Sequence, residues 1–260
     1  AVAAETVFEA AARAGLKSVA IHYPAASPAR SPLAHTVDGF GHPGYGTSPF
    51  EITPALGYVS VEGLAGSSGA PSSPESVAGA YGIRVRPAEG WANPPPSRLP
   101  PMEFPVPIIT KREGEDVELA GLLIASGEAG YDTTVLCRSR DGDTELARSK
   151  AGEWSDWVVQ PFVVEGNRVE GTFRFKTVEL APDAGRLRLY RSQVMLVAGV
   201  SEPPELGRDL YERFGPYLEH ASVLPYVWGI ADIQTCLEEV EYQCQWVARA
   251  GRYLFEERDY

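Results

Sequence analysis

The sequence predicts an α/β protein that carries an inserted antiparallel β-rich domain. Three observations lead there. The chain opens with a capped, alanine-rich helical stretch, a glycine and a short apolar run. From about residue 106 to 198 it holds β-branched or aromatic runs bounded by turn residues. From 201 onward helical periodicity returns. Helix, glycine and buried strand form the unit of a sheet covered on both faces. Short strands with turn signals between them indicate an antiparallel sheet or small sandwich.

Taken in order, Thr6-x-x-Glu9 has capping-box spacing ahead of the first helix, and Gly15 is a suitable stop. SVAIHY (Ser18 to Tyr23) reads as a short, mostly apolar strand. After Pro24 the chain holds too many prolines and glycines for a helix or central strand, so residues 1–62 are expected to be part of the α/β core ending in a long loop. Residues 63–105 read as a connection. GLAGSSGAPSSPES has linker composition, and the proline run in AEGWANPPPSRLPPMEFP should lie extended on a surface.

Residues 106–200 are the β-rich insertion. In GTFRFKTVEL one face carries Phe173, Phe175, Thr177 and Glu179, the other Arg174, Lys176, Val178 and Leu180, as expected of a half-exposed strand. Residues 201–260 are a helical return to the core. A short amphipathic helix is expected up to Gly215-Pro216. A long one follows with a core-facing stripe of Ile233, Leu237, Val240, Cys244, Val247 and Leu254. That helix starts either with the capping-box spacing Thr235-x-x-Glu238 or at Asp232.

The 260 residues suffice for one large or two modest domains, and 44% hydrophobic with 22% charged residues is an ordinary globular composition. The net charge of -12 and the scatter of basic residues argue against nucleic-acid binding through a basic patch. No apolar run is long enough to span a membrane. Three cysteines are too few for a disulfide framework and read as buried apolar residues. The chain begins in periodic structure at its first residues and stops at the foot of a helix, so it reads as an internal segment cut at both ends.

Two sets of residues invite a functional reading. His35, Asp38 and His42 in HTVDGFGHPGYG are metal-ligand types, but a loop run of this kind has no defined geometry. Asp38-Gly39 and His42-Pro43-Gly44 are also turn chemistry, and the loop could instead border a substrate pocket completed elsewhere. Trp154 and Trp157 in GEWSDW offer an aromatic platform for a ligand, or simply packing. Phosphate loops, nucleophile elbows, H-E-x-x-H and paired C-x-x-C motifs are absent from the sequence.

ETVFEAAARAGLKSVAIHYPA followed by VDGFGHPGYGTSPFEITP resembles the type I phosphodiesterase/nucleotide pyrophosphatase group of the alkaline phosphatase superfamily. Thr6, Glu9, Ala14-Gly15, Val19 and Pro24 match one pattern of that group, and Asp38-Gly39 with Phe50 to Pro54 loosely match a second. GEWSDW and the terminal QWVARAGRYLFEERDY look like members with a large insertion. The resemblance implies a three-layer α/β/α core and a phosphoric-ester hydrolase. It further implies a Thr or Ser nucleophile, two divalent metal ions, usually zinc, and a small phosphate-ester substrate. It places nucleophile and metal ligands before Thr6 and after Tyr260, so no catalytic or metal residue is expected inside this chain. The alternatives are a non-catalytic β-rich binding or interaction module, or a phosphomutase- or sulfatase-like member of the same superfamily.

Overall fold

The computed structural model describes residues 5–23, 26, 28–37, 50–60, 80–110, 113–197 and 201–258. In chain order the elements begin with α1 (Val7–Arg13), β1 (Ser18–Ile21), β2 (Ala34–Val37), β3 (Glu51–Thr53), β4 (Leu56–Ser60), β5 (Ala80–Ile83) and β6 (Arg86–Pro87). Then come β7 (Met102–Ile108), β8 (Val117–Ile124), β9 (Thr133–Cys137), β10 (Glu145–Lys150), β11 (Val158–Val164), β12 (Asn167–Phe173) and β13 (Phe175–Leu180). The chain finishes with β14 (Leu187–Arg191), β15 (Val194–Leu196), β16 (Ser201–Glu202), α2 (Pro204–Phe214), α3 (Val223–Val227) and α4 (Ile233–Glu257).

This is not a three-layer α/β/α core. Strand makes up 39% and helix 24% of the described residues, and the strands form four small sheets. The expectation failed because the proline- and glycine-rich stretch after Pro24 supplies strands. β2, β3 and β4 are only three to five residues long, and each buries apolar side chains, among them Val37, Ile52 and Tyr58. A strand that short fits between breakers and leaves little periodic signal.

Two compact units emerge, one from residues 1–52, 195–221 and 238–260, the other from 53–194 and 222–237. These units cut across the sequence segments. Residues 80–105 hold β5, β6 and the start of β7, and residues 222–237 group with the β-rich part.

In the first unit, both capping-box bonds hold α1: Glu9 N–H donates to Thr6 Oγ1 at 3.2 Å and Thr6 N–H to Glu9 Oε2 at 2.6 Å. Gly15, at φ +77°, turns the chain out of the helix. β1 runs parallel to β2, with Ser18 opposite Ala34, and β16 pairs antiparallel on the other side of β2. The core joins Val37, Leu206, Leu210, Tyr217, Trp246, Ala250, Tyr253 and Leu254.

The stripe of α4 is rotated from the expected one. Of the expected stripe Leu254 is buried and Val240 and Val247 are half-buried, but Ile233, Leu237 and Cys244 are exposed, and Cys236, Glu239, Trp246, Ala250 and Tyr253 are also buried. A buried glutamate in the stripe breaks its apolar pattern, so hydropathy favoured the wrong phase. Asp232, not Thr235, caps the helix, its Oδ1 accepting from Thr235 N–H at 2.7 Å. The exposed Cys244 likewise departs from the expected burial of all three cysteines.

In the second unit, β10-β9-β8-β7-β6 form an antiparallel sheet. One face of it buries Leu122, Ile124, Val135 and Cys137 beneath Ala88 and Trp91. β7 tolerates Pro105 and Pro107 because this parity of its backbone faces away from β8. The Pro107 carbonyl accepts from Tyr58 Oη at 2.7 Å instead of joining the ladder. β13-β14-β4-β5 form a second sheet, in which β4 and β5 are parallel. β11 and β12 close a hairpin over Glu165-Gly166, both at positive φ. The half-exposed strand expected in GTFRFKTVEL is broken at Arg174 and buried on both faces: Phe173, Phe175, Lys176 and Thr177 are all at most 2% exposed.

Candidate functional site

Sequence reasoning missed one candidate site. A groove of about 1040 Å³ lies in the β-rich unit. Its floor is formed by β7 and β8, where Pro105 and Ala120 reach the surface while the side chains of Phe104 and Leu119 are buried. Arg84 and Arg86 come from the β5–β6 segment, Arg138 and Arg140 from the turn after β9. Glu103, Glu118, Tyr81 and Trp91 complete the wall. Four arginines against two glutamates leave a positive surplus in a chain whose net charge is -12. The signal was present as R-V-R at 84–86 and R-S-R at 138–140. Basic residues that look scattered along a sequence can converge where a sheet folds back on itself.

Glu103 organises the groove. Its carboxylate is 4% exposed and accepts from Arg86 Nε at 2.8 Å, Arg140 Nη2 at 2.9 Å and Trp91 Nε1 at 2.7 Å. Three donors satisfy a buried carboxylate and pin two loops to β7. The loops also hold each other. Ala92 N–H donates to the Arg140 carbonyl and Gly142 N–H to the Ala92 carbonyl, each at 3.0 Å. Asn93 Nδ2 reaches Asp143 Oδ2 at 2.8 Å. Arg138 uses Nε on Gln160 Oε1 at 3.1 Å. Among the described residues, Arg84 makes no hydrogen bond or ion pair. The arrangement is a preorganised cationic wall over an apolar floor. It is suited to holding an anion.

The sequence-predicted residues lie elsewhere. His35 is half-buried on β2, opposite Val19. It lines a hollow of about 20 Å³ with Thr6, Phe8, Glu9 and Arg30, room for little more than a water. Asp38 and His42 lie outside the described residues. Among the described residues no group of three or more His, Cys, Asp or Glu is placed to hold a metal ion. Trp154 and Trp157 are brought together, both half-buried, with the Arg174 guanidinium 4.1 Å from one ring centre and 5.0 Å from the other. Trp154 also meets Tyr190 edge-on at 5.8 Å. The two indoles thus cover a buried arginine. This contact hides the basic face of the strand that alternation suggested would be exposed. Burial, then the nearby Glu145 carboxylate, pushes the Cys137 thiol up to about 11, so it stays protonated and unreactive at neutral pH.

Compared with known proteins, the chain matches no protein family, no curated protein and no solved structure.

Proposed function

We propose that this chain is an internal segment of a metal-dependent phosphohydrolase, a phosphodiesterase of the nucleotide pyrophosphatase kind. Its Thr or Ser nucleophile and two metal ions, zinc in that family, are supplied by residues outside the segment. The reading is supported by the helix–strand unit that carries the sequence resemblance. Thr6 and Glu9 form a reciprocal cap, Gly15 occupies a left-handed turn, and Val19 lies on a strand with a parallel neighbour. Thr6, Glu9, Gly15 and Val19, four of the residues shared with the family pattern, thus each have a local structural role. No described set of residues fits the two metals, so no catalytic step is assigned within this chain. The arginine groove favours a second reading, in which the β-rich unit is a binding module.

The test is the flanking coding sequence together with an assay. A metal-ligating Asp and a Thr or Ser should precede the segment, and further Asp and His ligands should follow it. The full-length protein should hydrolyse bis-p-nitrophenyl phosphate and lose that activity to a chelator, while the 260-residue chain should show none with added zinc. An unrelated continuation, or turnover by the isolated chain, would overturn the reading.

A further inference from the structure

We infer that the arginine groove of the β-rich unit binds a small organic ligand bearing a phosphate-ester or pyrophosphate group, with Arg84 and Arg138 contacting the anion. The inference does not depend on the hydrolase reading.

The arginines divide into two pairs by what already holds them. Arg86 and Arg140 are committed to Glu103, which fixes the loops they come from. Arg84 has all its donors unspent among the described residues, and Arg138 has spent only Nε, on Gln160. One arginine from each loop is therefore supplied for a ligand, on a scaffold made rigid by the other. The loop backbones are thus held in advance, and binding has to order only the two side chains.

Charge and size narrow the ligand. The positive surplus belongs to the groove and not to the composition, because the chain as a whole is strongly acidic. A net charge of -12 disfavours an extended polyanion such as nucleic acid. The volume of about 1040 Å³ sits at the upper end of small-molecule sites and far exceeds a bare ion. Its floor presents Pro105 and Ala120, and Trp91 stands at the wall, so an organic body has a surface to cover. A carboxylate offers two oxygens and a single charge. A phosphate presents more terminal oxygens and engages two forks from different directions.

The experiment is calorimetric titration of the 260-residue chain at low salt with inorganic pyrophosphate, with ADP and with glutarate as a dicarboxylate control. Pyrophosphate and ADP should bind saturably at one site, and ADP more tightly because it also covers the floor. Arg84→Ala and Arg138→Ala should each weaken binding by about tenfold or more. Arg84→Lys should recover only part, since it keeps charge but not the fork. Arg252→Ala, which removes one exposed positive charge from α4, should leave affinity unchanged. Arg84 makes no contact that folding needs, so its variants keep the test valid even if Arg138→Ala destabilises the chain. The inference is overturned by absence of saturable binding, by an equal loss in Arg252→Ala, or by glutarate binding as tightly as pyrophosphate. Failure here would leave any activity of the full-length protein standing. An inactive full-length protein would equally leave the groove's binding intact.

Discussion

Gly121 shows how single residues set the β-rich unit. It lies opposite Phe104 across β7 and β8, and a Cβ added there would clash with the edge of the Phe104 ring. Gly121→Ala should therefore destabilise the chain by about 1–3 kcal/mol in urea unfolding, as overpacked cores do. Adding Phe104→Leu should recover part of that loss, and an unchanged midpoint in the single variant would show that the ring is free to move. Asp209 makes the same point electrostatically. Burial raises its pKa, but hydrogen bonds from Arg258 at 2.7 Å, Tyr253 at 2.7 Å and Arg213 at 2.9 Å outweigh that and hold the carboxyl at about 2. In the unfolded chain it titrates near its ordinary value of 3.8. Because the folded pKa is the lower one, its contribution is complete above that ordinary value and is lost as pH falls through about 2. Asp209→Asn should lower the melting temperature at neutral pH and flatten its fall between about pH 4 and pH 2. Parallel pH profiles for variant and parent would refute the linkage.

At the scale of elements, the sequence was most legible where a local rule acts alone. The Thr6–Glu9 cap, the Gly15 stop and the break at Gly215 all appear where their spacing placed them. Each needs only a few neighbouring residues to operate. Thr6→Ala should cost about 1 kcal/mol and selectively speed hydrogen exchange in α1, while Thr6→Ser should not. Equal exchange in both variants would mean that packing alone holds the helix. α4 was legible as a helix but not in its phase, because Glu239, outside the expected apolar stripe, is buried while Ile233 and Leu237 of that stripe are exposed. Periodicity registers hydropathy, whereas burial depends on what the helix packs against. The broken strand at Arg174 failed for the same reason, since the side chains that cover it, Trp154 and Trp157, come from a separate segment.

For the whole molecule, composition excluded broad classes but did not indicate where charge gathers. The net charge of -12 is real, yet four arginines meet in one groove. The metal prediction also belongs at this scale. With no described cluster of metal-ligating side chains, saturating zinc should leave the melting temperature of the 260-residue chain unchanged. A rise of several degrees in a thermal-shift assay would reveal a site within the segment. By itself the sequence determined the caps, the turns, the β-rich character of the middle and the helical ending. All of these rest on interactions between residues close in the chain. Only the tertiary structure decided the sheet-dominated architecture, the buried side of α4 and the convergence of R-V-R and R-S-R on Glu103. Those depend on strand pairings between distant segments, which place residues side by side without leaving a pattern in the order of the chain.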